Sequence, residues 1–147
     1  MIYENKLVSS SGSEPIDSTY LKNYLRVDFS TDDTVISNLI TAARQVVEKW
    51  IEQALISKSF KCYYSEFEAW DEDQGYYFLP VPISPVTSIT AVKSVAEDGT
   101  ETAITDYKTT GLDEKTVRVE KIYSLTGSSR TGYVIEYDAE NTSIDEV

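Results

Sequence analysis

The sequence predicts an α+β fold: a short N-terminal helix and a long helix, followed by a mostly antiparallel β-sheet. Three observations predict it. Apolar residues between Ile36 and Ala54 recur at spacings of three and four, the period of one helical face. From Ser57 the period drops to two, as in a half-buried strand. All the helical signal precedes all the strand signal, which separates this pattern from alternating α/β.

Residues 1–13 end in Ser-Ser-Ser-Gly-Ser and predict a flexible N-terminal arm. Asp17 is a good N-cap, and Ile16 and Leu21 stand at the two positions of a hydrophobic staple, so a helix is expected over about 18–25. Ser30-Thr31-Asp32-Asp33 offers a capping-box pattern, with acids at the positive end of the helix dipole. The second helix should run about 32–54. Its face consists of Ile36, Leu39, Ile40, Ala43, Val47, Trp50, Ile51 and Ala54. Val35, Ala42 and Val46 widen that face, so burial on more than one side is expected. Arg44 and Glu48 form an i,i+4 pair on the polar side, expected to contribute about 0.2–0.5 kcal/mol.

Strands are expected over about 57–137. Phe60, Cys62 and Tyr64 alternate with Lys61, Tyr63 and Ser65. The acidic run from Glu66 to Gly75 reads as a hairpin tip or exposed loop, and Tyr76 to Leu79 returns as a strand. Pro80, Pro82 and Pro85 make the next segment an extended connector, because proline lacks the ladder donor. Val86 to Ala96 is a strand, and Asp98-Gly99 supplies the positive φ of a hairpin turn. Strands near 101–105, 107–110, 116–120 and 132–137 complete a sheet of about five to seven strands. The whole forms one domain over 14–138. Residues 139–147 read as an acidic tail or the start of a truncated helix; 136–147 hold five acids and no base.

Composition excludes several kinds of chemistry. The 147 residues include 13 basic and 25 acidic side chains, a formal charge of −12. That balance opposes general nucleic-acid binding and docking on an anionic membrane. With no His, catalytic triads, Cys-His dyads and His-ligated zinc are ruled out. Cys62 is the only cysteine, which allows no intrachain disulfide or thiolate cluster. No apolar run approaches a membrane span of roughly 20 residues, and Met1 to Ser10 lacks the pattern of a signal peptide.

The motifs that touch on chemistry are weak. Asp71-Glu72-Asp73-Gln74-Gly75 opens like a calcium loop, but Val81 stands where the bidentate acid is required. The loop from Gly127 to Gly132 has no Lys-Ser/Thr and is not a P-loop. Cys62, in phase with Phe60 and Tyr64, reads as a buried, inert thiol. Trp70, Tyr76, Tyr77 and Phe78 read either as cross-strand packing or as an interaction patch.

The order of these landmarks resembles the head–tail connector (adaptor) proteins of tailed bacteriophages. Tyr20-Leu21-Lys22-Asn23-Tyr24-Leu25-Arg26 is similar to the run that ends that family's first helix. Thr31-Asp32-Asp33, then Ala42-Ala43-Arg44 and Glu48-Lys49-Trp50, resembles its long helix. Ala54 to Phe60 resembles the exit into its first strand, and Leu79-Pro80, Pro85 to Thr90 and Asp98-Gly99-Thr100 its next landmarks. The resemblance implies a structural virion protein, not an enzyme, with no catalytic residue, cofactor or metal. It implies a ring homo-oligomer, often of twelve subunits, beneath the portal protein. Neck or tail-completion proteins would dock on its far side, and DNA would pass through without sequence-specific binding. The location implied is the virion neck, after synthesis in the host cytoplasm, with no membrane. Candidate interface residues are Trp70, Tyr76, Tyr77 and Phe78 on the hairpin and Tyr3 and Leu7 on the arm. The family usually adds a C-terminal helix, and Thr142 to Val147 looks like the cap and first turn of one. A second reading is a soluble carbohydrate-binding or cell-surface module that stacks sugars on the aromatic hairpin.

Overall fold

Asp17 starts the first helix, as its position predicts. In a computed structural model that describes residues 2–65, 69–71, 76–111, 118–121 and 130–141, its carboxylate accepts from the N–H groups of Thr19 (2.5 Å) and Tyr20 (3.3 Å). Helix α1 spans Ser18–Leu25. It ends where Arg26 turns left-handed (φ 57°) and the N–H groups of Arg26 and Val27 return to the carbonyls of Asn23 and Lys22.

Helix α2 spans Asp33–Ile51. The expected capping box does not form: Asp32 occupies the N-cap without a side-chain bond, and Asp33 pairs instead with Lys22 of α1. The helix also stops short of residue 54. Glu52 adopts φ 55°, and the Ala54 N–H donates to the Ser84 carbonyl (2.9 Å), which draws the chain onto the sheet.

Nine strands among the described residues form two sheets rather than one. Strands β1 (Ile2–Ser10), β2 (Lys58–Tyr64), β5 (Val86–Ala96), β6 (Glu101–Ala103) and β9 (Arg130–Ala139) are ordered β1-β2-β9-β5-β6. Strands β3 (Ala69–Asp71), β4 (Tyr76–Pro80), β7 (Lys108–Thr110) and β8 (Arg118–Lys121) are ordered β3-β4-β8-β7. All these strand pairs are antiparallel. The connector from Val81 to Pro85 explains the division. It ends β4 and carries a cis peptide at Ser84–Pro85, and β5 then pairs with β9 and not with β4.

The first nine-residue strand corrects the expectation of a flexible arm. Ile2–Ser10 pairs along the whole of β2, with register shifts beside Tyr3 and Val8. The Tyr137 hydroxyl donates to Asn5 (3.3 Å) and holds β1 from the middle of the sheet.

The period-two residues of β2 face inward as predicted. Phe60, Cys62 and Tyr64 lie opposite Tyr137, Ile135 and Tyr133 of β9, and the Phe60 and Tyr137 rings stack at 5.2 Å. Leu79 of β4 and Val86 and Val92 of β5 join the same core, so the two sheets share it. Burial pushes the Cys62 thiol up from its ordinary range. Native protein is therefore expected to resist iodoacetamide at mildly alkaline pH, with one equivalent incorporated after denaturation; mass spectrometry reads the result.

Past β9, the N–H groups of Glu140 and Asn141 donate to the carbonyls of Pro85 (3.0 Å) and Ala54 (2.8 Å). The C-terminal strand thus ends beside the exit of α2. Residues 142–147, on which the tail-or-helix expectation falls, lie outside the described residues, as do most of the acidic run 66–75 and the first half of the loop 127–132.

Candidate assembly surface

Helix α2 has one buried stripe, apolar at its start and charged at its end, and one apolar stripe that is bare. At 100° per residue, Ile36, Ile40, Arg44 and Glu48 form one stripe, and all four are buried. Val35, Leu39, Val46 and Trp50 form a second at spacings of four, seven and four. Their exposures are 56%, 60%, 65% and 89%. This corrects the expectation of burial on more than one side. Of the predicted face, Ile36, Ile40 and Ala54 are buried, whereas Leu39, Val47, Trp50 and Ile51 are exposed. Tyr20, Tyr24 and Leu25 of α1 are exposed as well. The physical reason is that the two helices touch each other more than they touch the strands. Among the described residues nothing covers the remaining apolar surface.

A largely buried ionic network fixes α2 to the sheet. Arg44 Nε donates to Glu14 Oε2 (2.7 Å), Nη2 to Glu14 Oε1 (3.1 Å) and Nη1 to Glu48 Oε2 (2.7 Å). Glu48 also accepts from Lys58 Nζ of β2 (2.5 Å) and from the Leu55 N–H (2.9 Å). Thr41 donates to Glu14 (2.8 Å). Two cations balance two carboxylates, and the N-terminal segment, α2 and β2 meet in one cluster. The expectation of an Arg44–Glu48 pair on the solvent side is overturned, since both side chains are 7% exposed.

The hydrogen bond from Arg44 holds the Glu14 carboxyl below its ordinary value of 4.5, and the same bond raises the Arg44 guanidinium. A carboxyl depressed in the folded state contributes stability that is complete above its unfolded value and lost as pH falls through the folded one. Melting temperature should therefore drop below pH 4.5, and Glu14→Gln should flatten that acid limb. A parallel acid limb in the variant would contradict the assignment.

Beside the network lies an apolar groove of about 600 Å³, walled by Ile16, Leu21, Ala43, Val47 and Leu55. The staple pair, Ile16 and Leu21, contributes to its lining. Beyond its first residue, Asp33, the surface of α2 is also free of exposed acid: between Asp33 and Glu52 the only carboxylate is Glu48, which is buried. On the sheet, by contrast, charge is concentrated and paired. Lys61 and Lys93 bridge Glu101 and Glu136 at 2.6–3.5 Å on the face opposite the core.

The sequence-predicted residues fall on two sheets. Leu7 is half-exposed on edge strand β1, and Tyr3 sits at a register shift of the same strand. Trp70 lies opposite Tyr77 in the β3–β4 ladder, with Tyr76 opposite Asp71 and Phe78 opposite Ala69. The side chains of Tyr3, Trp70, Tyr76, Tyr77 and Phe78 lie outside the described residues. What the sequence reading missed is the second stripe of α2. The signal for it was present, because a helix apolar over so wide an arc exceeds what one small sheet covers. Among the described residues no group of acids and cysteine converges on a metal-binding geometry, and no described helix is long and apolar enough to cross a membrane.

A small α+β protomer with a bare, carboxylate-free helical face has the form of a subunit whose packing is completed by another chain. The chain belongs to the head completion protein family, whose model matches residues 14–146. Its role is structural, at the connection of head and tail, in agreement with the connector resemblance of its sequence. The fold is similar to a chain in the neck of an empty gene transfer agent (GTA) particle computed with C6 symmetry. The TM-score is 0.70 at 22% identity, covering 92% of this chain and 69% of that one. A chain of the virion of a native GTA particle matches with TM-score 0.70 at 21% identity, over 94% and 72%. A chain in the neck of a native GTA particle computed with C12 symmetry matches with TM-score 0.62 at 22% identity, over 97% and 74%. No curated protein matches the chain by sequence.

Proposed function

We propose that copies of this chain close into a ring in the neck of a virion, beneath the portal protein. Neck or tail-completion proteins meet its far side, and DNA passes through the centre. The observation that carries this reading is the uncovered helical face of α2 on a chain of the head completion family. The likeness to neck chains in particles computed with C6 and C12 symmetry supports a cyclic arrangement. A ring repeats one heterologous contact at every junction and leaves no unpaired end. The formal charge of −12 suits a conduit, because a net negative field repels phosphates rather than holding them. The role is mechanical and calls on no catalytic residue. Leu7 and Tyr3 on β1, and Trp70, Tyr76, Tyr77 and Phe78 on the β3–β4 hairpin, are proposed as further contacts with the portal or the neck.

The test is cosedimentation with tailless, portal-bearing capsids, followed by imaging of the vertex. A ring of added density at one vertex is the expected result. A chain that remains at the top of the gradient would sink the reading.

A further inference from the structure

We propose that in the assembled ring β1 leaves its own sheet and pairs with β2 of the next copy, so that each copy is strapped to its neighbour. The proposal rests on the ring reading above and names what links the copies.

Strand β1 is held almost entirely through its backbone, by the ladder it makes with β2. Among its described side chains none is buried; Ile2 and Asn5 are half-buried and the rest are exposed. Ile2 leans on the core, and Asn5 accepts from the Tyr137 hydroxyl (3.3 Å). A hinge follows. The Ser11 N–H donates to the Ser57 carbonyl (2.8 Å), and Glu14 is fixed by Arg44 and Thr41. Between these two anchors stand only Gly12, at φ 101°, and Ser13. Opening the chain there frees β1 and disturbs neither helix. The match to the family model begins at residue 14, directly after the hinge, so β1 stands outside the matched unit.

What β1 leaves behind selects its replacement. Without it the backbone edge of β2 is bare, and Tyr137, 1% exposed with the strand in place, loses the acceptor for its hydroxyl. The incoming strand must carry an acceptor opposite Cys62 and shift register where Tyr3 and Val8 do. The β1 strand of a second copy meets these conditions because it is the same strand. It also brings one acid, Glu4, and one base, Lys6, so an acceptor of formal charge −12 does not repel it.

Exchange keeps every contact and changes only the hinge, so proximity decides it. From Ser11 to Glu14 the extended chain reaches at most about 11 Å, and only a touching neighbour can accept the strand. Dilute chains therefore keep β1 at home. Copies in a ring pass it one way round, each giving a strand at its hinge and receiving one on β2, two different places on the subunit.

The experiment uses the full chain with Ser9→Cys and Ser59→Cys, which stand opposite each other in the β1–β2 ladder. The Cα separation of such a pair accepts a disulfide. Neither position is buried, and Cys62, which is, does not compete. Oxidised while dilute and monomeric, the double variant should lose two free thiols and run as a monomer on a non-reducing denaturing gel. Oxidised after assembly on portal-bearing capsids, it should run as a ladder of covalent multimers up to ring size, which reductant collapses. Rings built from an equal mixture of the two single variants should give covalent pairs, and rings of either single variant alone should give none.

Rings whose oxidised double variant runs only as monomers overturn the exchange and leave the ring reading standing. A ladder that stops at pairs overturns the one-way passage, because reciprocal exchange would have consumed both strands. A chain that assembles neither in solution nor on capsids overturns the exchange and the ring together.

Discussion

Arg44→Met is expected to destabilise the folded chain by about 3 kcal/mol, the lower end of the range for breaking a buried ion pair. The guanidinium makes three of the bonds that hold Glu14 and Glu48, and its removal strands carboxylates that cannot all rehydrate. Glu48 keeps Lys58 and the Leu55 N–H, and Glu14 is 30% exposed, so the upper end of the range is not reached. For a chain of this length the change corresponds to a fall of roughly 10 °C in melting temperature. The double variant Arg44→Met/Glu48→Met should lose less than the sum of the two single variants, because the second change removes the stranded charge. Denaturant unfolding of the four proteins in the cycle reads both quantities. A single-variant loss below about 0.5 kcal/mol would return the pair to the solvated face that the sequence reading assigns it.

Gly132→Ala is expected to cost about 2–3 kcal/mol through forced overpacking. A Cβ at this position would run into the backbone carbonyl of Tyr64 in the neighbouring strand. Backbone cannot swing aside like a flexible side chain. Next to it Tyr64 pairs with Tyr133, and Cys62 with Ile135, in the middle of the five-stranded sheet, so any shift would disturb the packed core. Gly99→Ala is the control. Gly99 has open space around it, and only its φ of +85° opposes a side chain, so about 1 kcal/mol is expected. Equal losses at the two positions would mean that the strands separate at Gly132 at little cost.

The parts of this fold legible in the sequence are those governed by local periodicity. The start of α1 at Asp17, the strand β5 over Val86–Ala96 and the inward set Phe60, Cys62 and Tyr64 follow from neighbours within a few residues. Strand β1 was not legible because nothing in Ile2–Ser10 alternates; its order comes from the free edge of β2, far along the chain. Arg44 and Glu48 show the same limit. An i,i+4 pair has one appearance whether solvated or buried, and the partners that bury it, Glu14 and Lys58, stand 30 residues from Arg44 and 10 from Glu48. The second stripe of α2 was misplaced for a different reason. Val35, Leu39, Val46 and Trp50 announce that they need cover, but apolarity does not say which chain supplies it. For the aromatic hairpin, the β3–β4 ladder sets Trp70 opposite Tyr77, as a cross-strand pair would be.

The central claim is that the bare face of α2 is covered by a neighbouring copy in the assembled particle. Hydroxyl-radical footprinting, read by mass spectrometry on the free chain and on purified particles, tests it most directly. Trp50 and Val46 should be oxidised readily in the free chain at dilutions where it is monomeric, with the two side chains 89% and 65% exposed, and protected in the particle, while Tyr137, buried in both, stays unmodified. Equal oxidation of Trp50 and Val46 in the two states would contradict the account, because the face would then remain bare in the virion.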